Sequence, residues 1–251
     1  MIKKGMLFIL SILPVFAVTD DSNFGTVESN NKFWRFSLVQ IMCGATKFYF
    51  ISWKRNQSGK VEFHFVEKIT IKQCYMAQRN QVQKLVEKYK KYLTTIDKNQ
   101  ILVEREDLCY HIGNEQERIE TSNNKINTYT TIVLTVTPIV MAIVDWQELW
   151  NISIFSKIIL CIIAYSLENI IIYVYGYLKV GSYVRYGFSE IKIPESGKRK
   201  RKERFYKRNE LLYSDWQQLR IDASIRVSYV LNLERWVAVV FGIAICLIIL
   251  A

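Results

Sequence analysis

Residues 152–178 read ISIFSKIILCIIAYSLENIIIYVYGYL, and this stretch decides the fold class of the chain. It is longer than the roughly 20 apolar residues with which a helix crosses the hydrocarbon core of a bilayer. Lys157 lies near its start and three tyrosines lie near its end, where interfacial side chains are expected. The stretch therefore predicts a transmembrane helix.

Two further apolar stretches flank this one. Residues 126–144 contain no charged side chain and are followed by Asp145 and Trp146, an interfacial pair. Residues 236–251 are wholly apolar and follow a Glu-Arg pair, although they are short for a membrane span. We therefore expect three C-terminal transmembrane helices, comprising the pair within 126–178 and a third helix at 236–251.

The distribution of Lys and Arg sets the expected orientation. Residues 179–208 contain eleven Lys or Arg and three Glu, whereas residues 145–157 contain one Lys and two acidic residues. Loops rich in Lys and Arg stay on the cytoplasmic side of a membrane, so the segment 179–208 is expected to be cytoplasmic. The same rule keeps residues 20–125 on the cytoplasmic side. The formal charge of +11 is consistent with contact to anionic lipid.

The first nineteen residues are compatible with several interpretations. Lys3 and Lys4 precede the apolar stretch 5–18, an arrangement typical of a secretory signal peptide. The same stretch fits a further membrane anchor, or a buried strand or interfacial segment of a cytoplasmic domain that ends at Pro14. The charge asymmetry of the later loops favours a cytoplasmic location for residues 20–125. Residues 1–19 thus remain a signal, an anchor or a buried element.

Residues 20–99 predict a small β-rich domain. Aromatic and β-branched residues alternate with polar ones in three segments, at 34–39, 47–53 and 61–71, and residues 56–59 fit a hairpin connection. Residues 73–93 carry apolar side chains at helical spacing and are expected to pack on one face of the sheet. Either the domain binds a ligand or partner as a sensor, or it only positions the helices.

Residues 100–125 predict a helical stalk. Their apolar residues recur in steps of seven and four, as in a short coiled coil. The seam residues are Ile101, Leu108, Ile112 and Ile119. Such a seam pairs either with another copy of the chain, which would make the protein a homo-oligomer, or with a neighbouring part of the same chain.

Polar residues within the expected spans are the strongest candidates for function. Glu168 and Asn169 lie in the middle of the second span, where a carboxylate is costly unless it faces a partner or a water-filled path. In the first span, Thr131 and Thr135 share a helical face close to Pro138. Either these residues hold helices together, or they line a path for ions.

The basic segment 179–235 contains a dense run of cations followed by an amphipathic helix. Juxtamembrane cations of this kind are attracted to anionic lipid, which favours contact with lipid or a partner over sequence-specific binding to nucleic acid. The run comprises Lys198, Arg199, Lys200, Arg201, Lys202, Arg204, Lys207 and Arg208.

Enzymatic chemistry is not expected of this chain. It contains no glycine-rich phosphate loop, no HExxH motif, no nucleophile elbow and only two histidines. The five cysteines show no metal-ligand spacing. We therefore expect no catalytic residues, no metal and no cofactor.

The helix pair within 126–178, followed by a basic helical segment, resembles the small membrane effectors of bacterial antiphage abortive-infection systems. These include SLATT-type effectors and the two-transmembrane effectors of retron systems. The resemblance implies a protein of the bacterial inner membrane that permeabilises or depolarises it when an inhibitory partner releases it. In retron systems that inhibitor is a reverse transcriptase complex with its RNA and DNA, so a protein or ribonucleoprotein inhibitor is implied.

We therefore expect a mainly α-helical integral membrane protein with three C-terminal transmembrane helices and a small N-terminal β-rich α+β domain. The expected function is that of a defence effector that oligomerises and opens the inner membrane, with Thr131, Thr135, Glu168 and Asn169 at the lesion. The alternative is a non-toxic membrane-anchored receptor or immunity protein that docks a partner through residues 20–125.

Overall fold

The computed structural model describes residues 6, 10–11, 15–19, 34–55, 59–143, 147, 151, 153–179 and 198–250. Within these ranges, four strands form one antiparallel sheet in sequence order, and four long helices follow them. The elements are β1 (Val15–Thr19), β2 (Trp34–Cys43), β3 (Thr46–Arg55), β4 (Val61–Thr70), α1 (Ile71–Leu93), α2 (Lys98–Ile143), α3 (Ile154–Leu178) and α4 (Lys198–Leu250).

The expected fold class is confirmed in its coarser form. The chain is mostly helical and begins with a sheet, and two of its helices are long and apolar enough to cross a membrane. These two segments are Ser156–Leu178 and Phe205–Cys246. The stretch expected as the first span forms the last part of α2, which ends at Ile143, and its role as a span stays a prediction.

Short side-chain motifs account for where three of the helices begin. At the start of α1, Thr70 and Gln73 each accept a hydrogen bond from the backbone N–H of the other, which is a capping box. Asp97 and Gln100 form the same reciprocal pair at the start of α2. The Ser153 side chain accepts from the Ser156 N–H at the start of α3.

The described residues fold as two compact units. The first contains the sheet and the apolar helix segments, and the second contains polar helix segments. The first unit comprises Met1–Cys74, Asn123–Lys179 and Ser228–Ala251, and the second comprises Tyr75–Ser122 and Val180–Val227. The sequence pattern groups all of residues 73–93 with the sheet, whereas most of α1 belongs to the second unit.

Strand β1 corresponds to the end of the N-terminal apolar segment. It begins directly after Pro14 and pairs antiparallel with β2, with Ala17 opposite Ser37. Pro14 therefore precedes a strand, whereas the buried-element interpretation expects Pro14 to end one. Ala17 and Thr19 are buried. Most of the remaining N-terminal segment, and residues 56–58 of the expected hairpin connection, lie outside the described residues.

The two faces of the sheet have opposite polarity. The inner face is buried, and it carries Arg35, Ser37, Gln40, Met42, Lys47, Tyr49 and Ser52. The outer face is half-buried or exposed, and it carries Phe36, Val39, Ile41, Phe48, Phe50, Trp53, Phe63 and Val66. Polar side chains thus point into the protein and apolar ones point out, the reverse of a sheet with one face in water.

The buried guanidinium of Arg35 on the inner face is paired. The Arg35 guanidinium donates to the Ser52 hydroxyl at 2.8 Å and lies 2.9 Å from the Glu67 carboxylate. The same guanidinium lies over the Tyr49 ring, 4.6 Å from its centroid. These contacts offset the cost of removing the charge from water.

The second unit is built around the seam that the sequence predicts in the stalk. Leu108 packs with Tyr89 and Leu93 of α1, and the first part of α4 covers this cluster with Tyr213 and Trp216. The Asn209 side chain of α4 donates to the carbonyl of Ile101 at 2.8 Å. Ile101 and Leu108 are buried, and Ile112 and Ile119 are half-buried. The seam therefore packs against other helices of the same chain.

This packing also accounts for the amphipathic face of α4. The sequence pattern assigns Leu212, Trp216, Leu219 and Ala223 to an interfacial helix. In the structure Leu212 and Trp216 pack on the seam cluster, and Leu219 and Ala223 are buried. This face of α4 is therefore covered by protein.

Candidate functional site

Helix α3 presents two different faces, and the adjacent residues Glu168 and Asn169 lie on different ones. Buried side chains recur at Ser166, Asn169, Tyr173 and Tyr177. The opposite stripe is exposed, and it consists of Cys161, Ala164, Glu168, Ile171, Tyr175 and Leu178. Glu168 therefore lies among apolar and small side chains on the surface of a helix that is apolar enough to span a membrane.

Asn169 fixes the tip of the β2–β3 hairpin to α3. Its side-chain oxygen accepts from the Gly44 N–H at 2.9 Å, and its amide nitrogen donates to the Tyr165 carbonyl at 2.9 Å. One turn earlier, the Tyr165 hydroxyl accepts from the Met42 N–H at 2.7 Å. Two backbone donors of the hairpin are thus satisfied by α3, which supports the helix-contact interpretation for Asn169.

Close approach of the hairpin to α3 depends on a glycine. Gly44 has a φ of +53°, a conformation that costs other residues about 1–2 kcal/mol. A Cβ atom added to Gly44 would overlap the Ile172 side chain, with the Ile172 Cβ only 2.9 Å away. Both the backbone angle and the space therefore require glycine at this turn.

Contacts within the first unit show how its segments of α2, α3 and α4 are oriented relative to one another. The Glu234 carboxylate of α4 accepts from Lys125 at 3.0 Å and from the Tyr129 hydroxyl at 2.8 Å, both on α2. The Tyr177 hydroxyl of α3 donates to the Asn123 side chain. The Tyr165 ring packs edge-on against Trp236, with centroids 5.3 Å apart. These segments of α2 and α4 are therefore parallel, and α3 is antiparallel to α4.

The depth of Glu168 stays a prediction. The residue lies near the middle of Ser156–Leu178, the segment of α3 that is apolar enough to cross a membrane. A carboxylate at this depth is costly unless it faces a partner or water.

Two threonine hydroxyls of α2 donate to backbone carbonyls of their own helix. The Thr135 hydroxyl donates to the Thr131 carbonyl at 2.8 Å, and the Thr128 hydroxyl makes the same bond to Asn124. Thr131, Thr135 and Pro138 are exposed, and α2 continues through Pro138 to Ile143. Both are the common bonds from a threonine hydroxyl to the carbonyl four residues earlier in a helix.

The basic run lies at the start of α4, which begins at Lys198. Side chains at 198–204 lie outside the described residues. Lys207 lies 3.3 Å from Glu210 on the same helix, and Arg208 is half-buried. Residues 180–197 of the predicted cytoplasmic loop also lie outside the described residues.

Two features of the site were not predicted from the sequence. The partners of Asn169, at Gly44 and Tyr165, were not identified because Gly44 lies more than a hundred residues away in the chain. The outward-facing apolar side of the sheet was also missed, although strand alternation located both of its faces.

No group of three His, Cys, Asp or Glu side chains suited to a metal ion occurs in the part of the chain that the structure describes.

No protein-family model, curated protein or solved structure matches the chain. Its function is therefore inferred from the geometry of α3 and of the sheet.

Proposed function

We propose that this chain is a membrane effector that self-associates through the exposed stripe of α3 and makes the inner membrane permeable when an inhibitory partner releases it. The observation that carries the proposal is the exposure of Glu168 on an apolar helix. The resemblance to antiphage effectors supplies the biological setting, with a protein or ribonucleoprotein as the inhibitor.

An exposed carboxylate among apolar neighbours is unfavourable next to lipid. Isoleucine and leucine side chains on the same stripe are suited to lipid or to a partner helix, and the carboxylate is suited only to water or a polar partner. Cys161 and Ala164, both small, precede Glu168 on the stripe and would let a second helix approach closely. Self-association would remove Glu168 from lipid and place its copies around a common axis.

A ring of carboxylates of this kind can attract cations into a pore. Asn169 does not take part in this ring, because its side chain is occupied by Gly44 and Tyr165. The two adjacent residues therefore have separate roles, with Glu168 in the path and Asn169 holding the sheet.

The test is a membrane-potential assay and an impermeant-dye assay on cells that express the chain, before and after phage infection. We expect depolarisation and dye entry with the native sequence, and loss of both with Glu168→Ala. The matched control is Ile171→Ala, which truncates a side chain one turn away on the same stripe. Immunoblots of the membrane fraction verify equal amounts of each variant.

Two outcomes would contradict this function. One is an unchanged membrane potential with the native chain both before and after infection. The other is equal permeabilisation by the native chain and by Glu168→Ala, which would leave the exposed carboxylate without a role.

A second function has its own supporting observation. The apolar outer face of the sheet is a large exposed surface, and a membrane-anchored receptor or immunity protein would dock a partner there through residues 20–125. Recovery of one stable partner by crosslinking in cells whose growth and membrane potential are unaffected would favour this alternative.

A further inference from the structure

The outer face of the sheet is a continuous aromatic surface. Phe36, Trp53 and Phe63 lie opposite one another on three adjacent strands, with ring centroids 5.8 Å and 5.5 Å apart. Phe63 is 58% exposed and Val66 is 56% exposed. Meanwhile Arg35 and Lys47 on the inner face are fully buried. This distribution is unfavourable in water, so the outer face requires an apolar environment.

The hairpin tip lies at a defined level on α3. It bonds to Tyr165 and Asn169, and Tyr165 packs on Trp236, where the apolar end of α4 begins. Tyr165 and Asn169 both belong to Ser156–Leu178, the segment of α3 that is apolar enough to cross a membrane. The sheet is thus attached where its aromatic face can reach lipid.

The charge of the sheet segment is complementary to anionic lipid. Residues 34–72 contain seven Lys or Arg and two Glu. Arg55, Lys60, Lys68 and Lys72 are exposed at the ends of the strands or beside the outer face. Each cation near an anionic membrane surface contributes about 1 kcal/mol of attraction.

We propose that the outer face of the sheet is a membrane-insertion surface, with its aromatic rings among the headgroups and the first part of the acyl chains. Insertion is shallow, because β4 is an edge strand of the sheet that the structure describes, and the backbone groups of an edge strand need water or headgroups as partners. Lipid is favoured over a protein partner by the attachment of the sheet to an apolar helix together with the basic excess. This inference does not depend on whether the chain permeabilises the membrane.

The test measures the depth of single labelled positions in the full-length protein. The five native cysteines are replaced by serine, a bimane label is attached at Phe63→Cys or Glu62→Cys, and each protein is reconstituted in phosphatidylcholine–phosphatidylglycerol vesicles. Glu62 is the matched control, because it is adjacent in β4, points to the opposite face and is exposed. Quenching is compared between a nitroxide on the lipid acyl chain and iodide in water.

We expect the label at Phe63→Cys to be quenched by the lipid nitroxide and protected from iodide, and the label at Glu62→Cys to show the reverse. Val66→Cys provides a second outer-face position should Phe63→Cys fail to reconstitute. Quenching of the outer-face label by iodide, as at Glu62→Cys, would overturn the proposal because the face would lie in water. Protection from both quenchers would also overturn it, because a second copy or another protein would then cover the face.

Discussion

Gly44 is the residue on which the attachment of the sheet to α3 depends most directly. We expect Gly44→Ala to lower the thermal stability of the purified protein in detergent, because the new Cβ would meet Ile172 at a backbone angle that alanine disfavours. The positive φ at residue 44 alone costs alanine about 1–2 kcal/mol, and the displacement of Ile172 adds to this cost.

Gly59→Ala is the matched control for this change. Gly59 has a φ of +78°, and nothing lies within 4 Å of a Cβ added there, so the substitution carries backbone strain without a collision. The two variants should therefore unfold at different temperatures, with Gly44→Ala the lower. Equal unfolding temperatures would show that the hairpin does not pack on α3 as described.

Substitution of Asn169 should lower the stability of the protein, and substitution of Glu168 should not. Asn169→Ala removes the acceptor of the buried Gly44 N–H, and an unsatisfied buried donor costs about 1–3 kcal/mol. Glu168→Gln alters an exposed side chain and should leave the unfolding temperature in detergent unchanged. Thermal unfolding of both variants measures the difference, and an Asn169→Ala protein of unchanged stability would show that Asn169 does not hold the hairpin on α3.

Among the elements of the second unit, the seam of α2 is the one whose packing can be tested most directly. We expect Leu108→Ala to destabilise the second unit by about 2–5 kcal/mol, because Leu108 is buried against Tyr89 and Leu93 of the same chain. Val103→Ala is the control, since Val103 lies on the same helix and is exposed. Hydrogen exchange of α1 and α2 reports the loss of protection. A change confined to oligomeric state would instead favour an intermolecular coiled coil.

The contact between α1 and α2 should weaken at high pH. Burial first, and then the neighbouring Glu104 carboxylate, raise the pKa of Tyr89 above its ordinary value of 10.0. A raised pKa in the folded state means that stability is fully present below about pH 10 and is lost as the pH rises through the folded-state pKa.

We therefore expect the near-ultraviolet circular dichroism signal of the second unit to diminish above pH 10, and Tyr89→Phe to make it less dependent on pH in that range. Tyr110→Phe, at an exposed position of α2, serves as the control. The mechanism would be wrong if both substitutions altered the pH profile equally.

Across the whole molecule, local patterns predicted the elements better than their partners. Alternation located β2, β3 and β4, and the spacing of Ile101 and Leu108 located a seam. Alternation identifies residues that share a face of a sheet, but it does not say which face is covered. The burial of the polar face and the exposure of the apolar face could therefore not be predicted. The seam likewise did not identify its partner, and the bonds of Asn169 depended on a turn far away in the sequence.

Contacts at the end of α3 bear on how the helices cross the membrane. Asn123, Tyr177 and Tyr229 lie together, since Tyr177 bonds to Asn123 and packs edge-on against Tyr229. We therefore expect the end of α3 and the nearby parts of α2 and α4 to lie on one side of the membrane, and the eleven cations of 179–208 predict that this side is cytoplasmic. A fluorescent protein inserted after Lys200 should fluoresce, and alkaline phosphatase inserted there should be inactive.

Insertions after Gln147 are the matched control, because this position precedes α3 at its opposite end. Alkaline phosphatase should be active there, since the enzyme requires export to fold. Equal cytoplasmic behaviour of both insertion sites would mean that α3 does not cross the membrane. The exposed stripe containing Glu168 would then lie in water, and neither the pore nor the insertion of the sheet would be supported by the packing of these helices.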